Sequence, residues 1–466
     1  NVANQGTSSS QVTVGAGFVS WLPVVSHSNG SGGSVWRSDV GVLNPSANTA
    51  YVQGLLYAPD GTHTGTITVP SGEQAVFADV ANVLGYQGSA ALQVRSDQPV
   101  VVTSRTYDQL ASGTVGQDYV SYPTSACLSA GGVAWLPQLV QNAAFRTNIA
   151  LTDAGTEPAA ATVTLFDGSG VVLGSYDVTL GPGEWKQENQ PFANKAGQST
   201  VDQGYAEVLV TSGAGIIASA SVIDRASGDP TTIAMVPAAS VSAGTVWVPV
   251  VSHAPGRHSS VWVSDVGLLN PGTVAANAQL RIHVTGAVFT STVTVPAGGQ
   301  SIVGDILGLP GFEGSGALEV ISDQPLVVTS RTYAGLVPGP GTVGQDYASY
   351  AASATLAAGQ STWLPQLAED AAYRTNISLT NTSAQPATVT VTLFDGAGNS
   401  VGSYDVTLDP GAWAQENQPF VTKAHLAALD RGYAKVTVTA GAGVIATASV
   451  IDNVTNDPTT ITMVRQ

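Results

Sequence analysis

The chain has little charge. Only 10% of its 466 residues are Asp, Glu, Lys or Arg, whereas soluble domains average about 25%. Amphipathic helices need charged faces toward the solvent, so the composition disfavours helical bundles and coiled coils. Apolar residues make up 43% of the sequence and are spread evenly along it, which disfavours a disordered chain.

Cysteine and long apolar runs are also missing. Cys127 is the single cysteine, so an intrachain disulfide is excluded. A chain of this size buries a core large enough to fold without one. No apolar run in the sequence approaches the ~20 residues that a membrane-spanning helix needs, and we therefore expect no membrane span.

Basic residues are few, and their scarcity limits the expected partners. The 32 acidic and 15 basic residues give a net charge of −17, and only four of the basic residues are lysines. An acidic surface repels phosphate backbones, so nucleic acid is not an expected partner. A chain poor in Lys and rich in Thr, Ser, Gly and Val is typical of cell-surface β proteins. With Asn1 rather than Met as first residue, we expect an extracellular or cell-surface protein whose export signal has been removed.

The chain is a tandem duplication. Residues 21–27 (WLPVVSH) recur as residues 247–253 (WVPVVSH) at a shift of 226, and residues 187–192 (QENQPF) recur as residues 415–420 at a shift of 228. Such self-similarity identifies a repeat architecture.

Each half divides once more. Residues 88–108 align with residues 204–224 at a shift of 116, and Trp-Leu-Pro occurs at both 21–23 and 135–137. The order is therefore A-B-A′-B′, with modules of about 115 residues. The predicted units are an N-terminal arm (1–10), module A (11–123), module B (124–238), module A′ (239–351) and module B′ (352–466).

Within a module the hydrophobic pattern has a period of two. Residues 161–167 (ATVTLFD) alternate and end at Asp167-Gly168, and residues 182–183 (Pro-Gly) close the next stretch. Strands separated by such turns every 8–12 residues are typical of an antiparallel sandwich. The prediction is an all-β fold of four tandem antiparallel, immunoglobulin-like β-sandwiches. Short helices are expected only at residues 79–84 and 424–429.

The predicted linkers are only a few residues long. Short linkers hold neighbouring modules semi-rigidly, so we expect the four modules to form a rod.

The eight tryptophans recur in register. They form the pairs Trp21/Trp247, Trp36/Trp262, Trp135/Trp363 and Trp185/Trp413. Large aromatics in register are expected in module cores or as packing lids. Trp36 and Trp262 are the candidate ligand contacts, because their exposure at sandwich loops would favour an adhesin.

A set of motifs resembles repeat modules of secreted and cell-surface proteins of environmental bacteria, often found beside secreted peptidases. The motifs are WLP (21–23), SRTY (104–107), GTVGQ (113–117), ASVID (220–224) and DPTTI (229–233). The resemblance covers about residues 14–464 and implies an immunoglobulin-like or fibronectin-like sandwich outside the cell, without catalytic residues. This chain departs from the commoner arrangement because it carries no peptidase domain.

Sequence signatures of catalysis and metal binding are weak. There is no Gly-x-Ser-x-Gly elbow, no His-x-x-x-His and no Cys-x-x-Cys, so we expect neither an enzyme nor a cofactor. Calcium prefers carboxylate and carbonyl oxygens, and the weak candidate ligands are Asp224, Asp229, Asp452 and Asp457. The alternative interpretation is that these aspartates cap their own turns.

Two arginine pairs also recur in register, Arg105/Arg331 and Arg146/Arg374. In a chain with so few basic residues, each is expected to bridge a carboxylate or backbone carbonyls at a sheet end.

The sequence predicts an extracellular structural protein. Its most specific form is a filament or layer subunit that assembles head to tail as a homopolymer through Asn1, Val2, Ala3 and Asn4, by adding a strand to the next subunit. One alternative is a cell-surface adhesin or an array of carbohydrate- or protein-binding modules with a surface ligand. Another is the accessory region of a secreted enzyme.

Overall fold

The structure is a computed structural model that describes residues 17–336 and 339–464. Within these residues the chain forms six antiparallel sheets and only very short helices. The prediction of an all-β chain of tandem β-sandwich repeats is confirmed, and the immunoglobulin-like type stays a prediction. The arm residues Asn1, Val2, Ala3 and Asn4 lie outside the described residues.

Module A contains nine strands and one helical turn. They are β1 (Phe18–Asn29), β2 (Val35–Leu43), β3 (Ala50–Ala58), β4 (Gly61–Val69), β5 (Gln74–Phe77), α1 (Val80–Val83), β6 (Gly88–Ser96), β7 (Val101–Gln109), β8 (Thr114–Val120) and β9 (Tyr122–Pro123).

Module B follows the same order. Its elements are β10 (Leu128–Ser129), β11 (Val133–Gln141), β12 (Phe145–Asp153), β13 (Ala159–Asp167), β14 (Val172–Leu180), β15 (Trp185–Asn189), α2 (Pro191–Asn194), β16 (Val201–Ser212), β17 (Ala214–Asp224), β18 (Pro230–Ala234) and β19 (Val236–Pro237).

Module A′ repeats the plan of module A. Its strands are β20 (Gly244–Pro255), β21 (Val261–Leu269), β22 (Ala276–Val284), β23 (Ala287–Val295), β24 (Gln300–Val303), β25 (Gly314–Ser322), β26 (Val327–Gly335), β27 (Thr342–Ala348) and β28 (Tyr350–Ala351).

Module B′ repeats the plan of module B. Its elements are β29 (Leu356–Ala357), β30 (Ser361–Glu369), β31 (Tyr373–Asn381), β32 (Ala387–Asp395), β33 (Ser400–Leu408), β34 (Trp413–Asn417), α3 (Pro419–Thr422), β35 (Leu429–Ala440), β36 (Ala442–Asp452) and β37 (Pro458–Thr462). Turns of 3₁₀ helix lie at Ser31–Gly33, Thr124–Ala126, Ala238–Ser240, Arg257–Ser259 and Ala352–Ala354.

In module A one strand belongs to both layers of the sandwich. The first part of β1 pairs with β6, and its end pairs with β2. Between these parts the β1–β6 register shifts from Leu22↔Leu92 to Val25↔Ala90, where Pro23 has no N–H to donate to a ladder. In module B, strands β11 and β12 form no such ladder, and the two layers stay separate sheets.

Apolar residues alternate with more polar ones along the strands. The apolar side chains of the two layers therefore face each other and form the core between them. In β13 the side chains of Ala161, Val163 and Leu165 are fully buried, and the residues between them are partly exposed. They pack with apolar side chains of β12, β16 and β17 into one cluster. A sheet that buries one face against another gives this two-residue pattern.

One helix prediction is wrong. The first expected helix contains α1, but residues 424–429 are not helical, and α3 lies earlier in the chain. Pro419 starts α3, because proline is well placed at a first helical position. The positive φ of His425 (57°) then directs the chain out of the helical conformation and toward β35.

The four modules form a closed arrangement, and the expected rod is wrong. Modules A and B meet where Thr152 Oγ1 donates to Pro23 O at 2.8 Å, and modules A′ and B′ repeat this bond with Thr380 and Pro249 at 2.8 Å. Strands β8, β18, β27 and β37 are neighbours at the centre. We call this closed arrangement the ring.

The remaining two interfaces are also alike. Between modules B and A′, the Gln138 N–H donates to Gln300 Oε1 at 2.7 Å. Between modules B′ and A, the Gln366 N–H donates to Gln74 Oε1 at 2.8 Å. We call this B′–A interface the seam, because its contacts join residues about 260 or more positions apart in the chain.

Each interface contains the tryptophan of the repeated Trp-x-Pro motif. At the seam, Trp363 packs with Tyr433 of its own module and with Leu43 and Val101 of module A. Trp135 does the same between modules B and A′. Trp21 and Trp247 lie at the A–B and A′–B′ interfaces. Apolar burial therefore stabilises all four interfaces of the ring.

The seam gives a testable expectation. The Tyr433 side chain is 1% exposed, stacks on Phe394 at 4.8 Å, and donates to Gly72 O at 2.6 Å. Replacing it in Tyr433→Ala should cost about 3 kcal/mol, as buried aromatic truncations do. Because the seam has no peptide link, we expect the ring to open and the radius of gyration from small-angle X-ray scattering to increase.

Tyr205 is the matched control. It makes the same bond, to Gly298 O, between modules that the chain itself links. Tyr205→Ala should lower the melting temperature similarly and increase the radius of gyration less. An unchanged radius of gyration in Tyr433→Ala would show that the seam does not depend on this contact.

Candidate binding cleft between modules A and B

A cleft of about 600 Å³ lies between modules A and B. Module A contributes residues of β1, β2, β6, β7 and β8, and module B contributes residues of β12, β15, β17 and β18. Pockets for small ligands typically measure about 300–1,000 Å³. The cleft exists only because the ring joins the two modules along their long sides.

Two tryptophans line the cleft from opposite modules. Trp36 comes from β2 of module A and Trp185 from β15 of module B, and both are half-buried. The indole Nε1–H of Trp185 is buried and has no hydrogen-bond acceptor among the described residues. Buried indole N–H groups usually find a partner, and the indole N–H of Trp413, the second-half counterpart of Trp185, likewise has no acceptor among the described residues.

Amide side chains line the floor and one wall. Asn148, Gln187 and Asn189 of module B and Gln117 of module A face the cleft. Gln117 is 7% exposed, and its Nε2 donates to Tyr119 Oη and Ser221 Oγ at 2.9 and 3.0 Å. Its Oε1 has no donor within the described chain. An unmet buried acceptor is costly, and this oxygen has almost no exposed surface.

The matching glutamine of the second half is satisfied. Gln345 Oε1 accepts from Ser449 Oγ at 3.1 Å and from Thr460 Oγ1 at 3.0 Å. Thr460 Oγ1 also lies 2.7 Å from Asp346 O, as its counterpart Thr232 Oγ1 lies 2.8 Å from Asp118 O. Among the described residues, the two glutamines therefore differ in whether Oε1 has a nearby donor.

Two arginines of module B, Arg146 and Arg225, complete the lining. Burial lowers the pKa of Arg146, and the charge of Arg225 lowers it further. The expectation that arginines in register bridge carboxylates holds for Arg105 and Arg331, which pair with Asp457 and Asp229. It is wrong for Arg146, which pairs with Ile223 through its backbone but whose guanidinium has no hydrogen bond or ion pair to any residue in the described ranges.

The second half closes the corresponding space with an arginine. Arg257 of module A′ donates to Gln418 Oε1 at 3.0 Å and to Asn453 Oδ1 at 3.4 Å, both in module B′. The matching position in module A is Ser31. The A–B cleft therefore has no guanidinium from module A reaching across it.

The candidate interaction tryptophans are half-buried rather than fully exposed. Trp36 lines the cleft, and Trp262 lies at the matched place, where Arg257 reaches across. The sequence analysis considered that Trp36 could be exposed at a sandwich loop. In the structure, Trp36 lies at the interface between modules A and B.

The calcium candidates bind backbone N–H groups of the neighbouring module. Asp224 accepts from the N–H groups of Ala226 and Thr342, and Asp452 accepts from those of Val454 and Thr114, at 2.8–2.9 Å. Capping of their own turns, the alternative interpretation, is what these two aspartates do. Among the described residues, no group of three or more His, Cys, Asp or Glu side chains is close enough to hold a metal ion.

Asp229 and Asp457 meet at the centre of the ring. Both are fully buried, and each Oδ2 accepts from a backbone N–H, of Gly344 at 2.9 Å and of Gly116 at 2.7 Å. Neither Oδ1 has an N–H or O–H donor within the described chain. The two carboxyl groups lie close enough to influence each other's ionisation, and a buried pair of this kind is stabilised when it shares one proton.

Burial, and then the charge of Asp457, raises the pKa of Asp229 well above its ordinary value. Burial likewise raises the pKa of Asp457 to about 7. Asp118 and Asp346 lie on β8 and β27, and their pKa values are also raised by burial. Carboxyl groups that share a small space cannot both ionise readily.

The raised pKa values predict a pH-dependent ring. The folded chain holds protons that the unfolded chain releases near pH 4, so stability falls as the pH rises from about 4 to about 7. We expect a higher melting temperature at pH 5 than at pH 8, with about 2–4 °C for each kcal/mol lost. Calorimetry at the two pH values measures this difference.

Asp457→Asn should reduce this difference, because the amide keeps an acceptor for Arg105 and Gly116 and cannot ionise. Asp430→Asn is the control, since its carboxylate is 79% exposed. Equal pH dependence in wild type and Asp457→Asn would contradict the shared proton.

Comparisons with known proteins leave the family open. No protein-family model and no curated protein matches this chain. A solved structure titled "Crystal structure of tetra-tandem repeat in extending region of large adhesion protein" is 16% identical, over 90% of this chain and 91% of that one, with a TM-score of 0.11. A TM-score this low shows that the two chains do not superpose as wholes, so the likeness carries no functional argument. In the described ranges, no helix is long and apolar enough to cross a membrane.

Proposed function

We propose that the protein is an extracellular binding protein of the adhesin type that holds a saccharide in the A–B cleft and catalyses no reaction. The observation that carries this proposal is the cleft lined by Trp36 of module A and Trp185 of module B. The low-lysine, Thr- and Ser-rich composition supports the extracellular setting. The ring supplies the rigid support that a preformed site needs.

The chemistry of the lining suits sugars. Aromatic rings pack against the C–H faces of a pyranose, while hydroxyl and amide groups pair with its many hydroxyls. The cleft offers Ser26, Ser28 and Ser89 in addition to its amides. Mostly neutral donors and acceptors around two aromatic faces fit a short oligosaccharide better than a purely apolar ligand.

The same lining supports binding rather than hydrolysis. Glycoside hydrolysis needs two carboxyl groups on either side of the scissile bond. Among the described residues that line the cleft there is no Asp, Glu, His or Cys. The described lining therefore offers no carboxyl, imidazole or thiol group to act as general acid or base.

Assembly into a filament through Asn1, Val2, Ala3 and Asn4 stays a prediction, because these residues lie outside the described ranges. The seam bears on it indirectly. The face of module B′ at the seam is in contact with module A of the same chain, and a neighbouring subunit would compete with module A for it.

The proposed function predicts a selective effect of one tryptophan. Screening on a glycan array, followed by calorimetric titration of the best neutral or charged oligosaccharide, gives the wild-type affinity. Trp36→Ala should weaken that affinity by roughly 5- to 30-fold, since an aromatic contact contributes about 1–2 kcal/mol.

Trp262→Ala is the matched control, because Arg257 already reaches across the second-half interface. It should leave the affinity unchanged while changing the melting temperature about as much as Trp36→Ala does. Equal losses of affinity in both variants would place the site elsewhere. Absence of binding to every saccharide on the array would refute the proposed function.

A further inference from the structure

The two arginines of the cleft differ in how well their charges are compensated. Arg225 Nε donates to the carbonyl oxygens of Asn142 and Phe145 at 3.1 and 3.3 Å, and its Nη2 donates to Gln190 Oε1 at 2.7 Å. All three acceptors are neutral. Arg146 is half-buried and has no acceptor within the described chain. A partly desolvated guanidinium without an acceptor is costly unless a ligand supplies one.

No negative charge lines the cleft to offset these two guanidiniums. The chain carries a net charge of −17, yet no carboxylate is present among the described lining residues. Elsewhere in the structure, Arg37, Arg281 and Arg331 each pair with a carboxylate. The A–B cleft is thus locally basic in an acidic protein, and such a cleft attracts anions.

In the second half, the arginine that corresponds to Arg146 has acceptors. Arg374, the counterpart of Arg146, is 7% exposed and donates to Asn453 Oδ1 at 3.0 Å and to Asn456 Oδ1. Arg257 shares Asn453 as an acceptor. The first half has Arg225 and Gly228 at the positions of Asn453 and Asn456. Two acceptors are therefore missing around Arg146, and an extra guanidinium takes the place of one of them.

We propose that the saccharide held in the A–B cleft is acidic, and that Arg146 and Arg225 bind its anionic group, a carboxylate or a sulfate ester. This inference rests on the proposed function and specifies its ligand class. The planar guanidinium group matches the two oxygens of a carboxylate or sulfate, which allows two parallel hydrogen bonds. The anion supplies the acceptors that Asn453 and Asn456 supply in the second half, and the sugar ring lies between Trp36 and Trp185.

The test is calorimetric titration of the full chain with three oligosaccharides of equal length: a neutral one, an oligouronide and a sulfated one. We expect at least one acidic oligosaccharide to bind roughly 10-fold or more tightly than the neutral one. Its affinity should fall as salt is raised, because charge–charge contacts are screened.

Arg146→Gln removes the charge that lacks a partner. It should weaken binding of the acidic oligosaccharide by roughly 10- to 100-fold, the range expected for losing hydrogen bonds between charged groups. Arg146→Lys, which keeps the charge without the two-pronged geometry, should lose less. Binding of the neutral oligosaccharide should weaken by a smaller factor than binding of the acidic one in either variant.

Arg257→Gln is the matched control from the exposed surface of the second half, and it should bind like wild type. Melting temperatures of all variants establish that each is folded. Tight binding of only one of the two acidic oligosaccharides supports the anion site. It also shows whether the bound group is a sulfate ester or a carboxylate.

Equal affinity for neutral and acidic oligosaccharides, unchanged by Arg146→Gln, would overturn this inference and leave the proposed function standing. Binding of none of the three, together with a negative array, would overturn both.

Discussion

The packing of one tryptophan per module against the next module is the contact on which the whole arrangement depends. Trp21, Trp135, Trp247 and Trp363 each join an apolar cluster that includes residues of a neighbouring module. Large aromatic side chains dominate the energetics of such interfaces. Because every module buries its tryptophan in this way, each has two neighbours, and four modules close the ring.

Closing the ring has an electrostatic consequence at its centre. The turns that carry Asp224 and Asp229 in module B, and Asp452 and Asp457 in module B′, insert carboxylates into the edges of β27 and β8. Arg331 and Arg105 accompany them. These contacts hold the modules in register, and they bring two acidic side chains together without solvent. The proton that the pair shares is a direct result of the near twofold repetition.

The sequence predicted the strands that the modules share. It did not predict the contacts between modules or the differences between the two halves. Period-two stretches such as residues 161–167 predicted strands correctly, because a half-buried sheet imposes that alternation locally. The rod was wrong, because module linkers say nothing about contacts such as Gln366 with Gln74, which lie far apart in sequence. Residues 424–429 look helical by composition, but Pro419 and the positive φ of His425 place the helical turn earlier.

The cleft was missed for a related reason. Sequence comparison of the halves emphasised matched residues, whereas the cleft is defined by mismatched ones. Ser31 against Arg257, Arg225 against Asn453 and Gly228 against Asn456 are visible in the printed sequence. Their meaning depends on which side chains face one another across an interface, which only the ring shows. The positions at which the two halves have different residues were therefore the sequence signal that could have indicated a site.

The seam also determines how the molecule would carry a mechanical load. Strand β1 begins module A and strand β37 ends module B′, so tension applied at the two ends of the described chain pulls these modules apart. The other three interfaces are bridged by the polypeptide and carry no tension until the seam separates. We expect a chain built in this way to lengthen in steps, with the seam as its first extensible element.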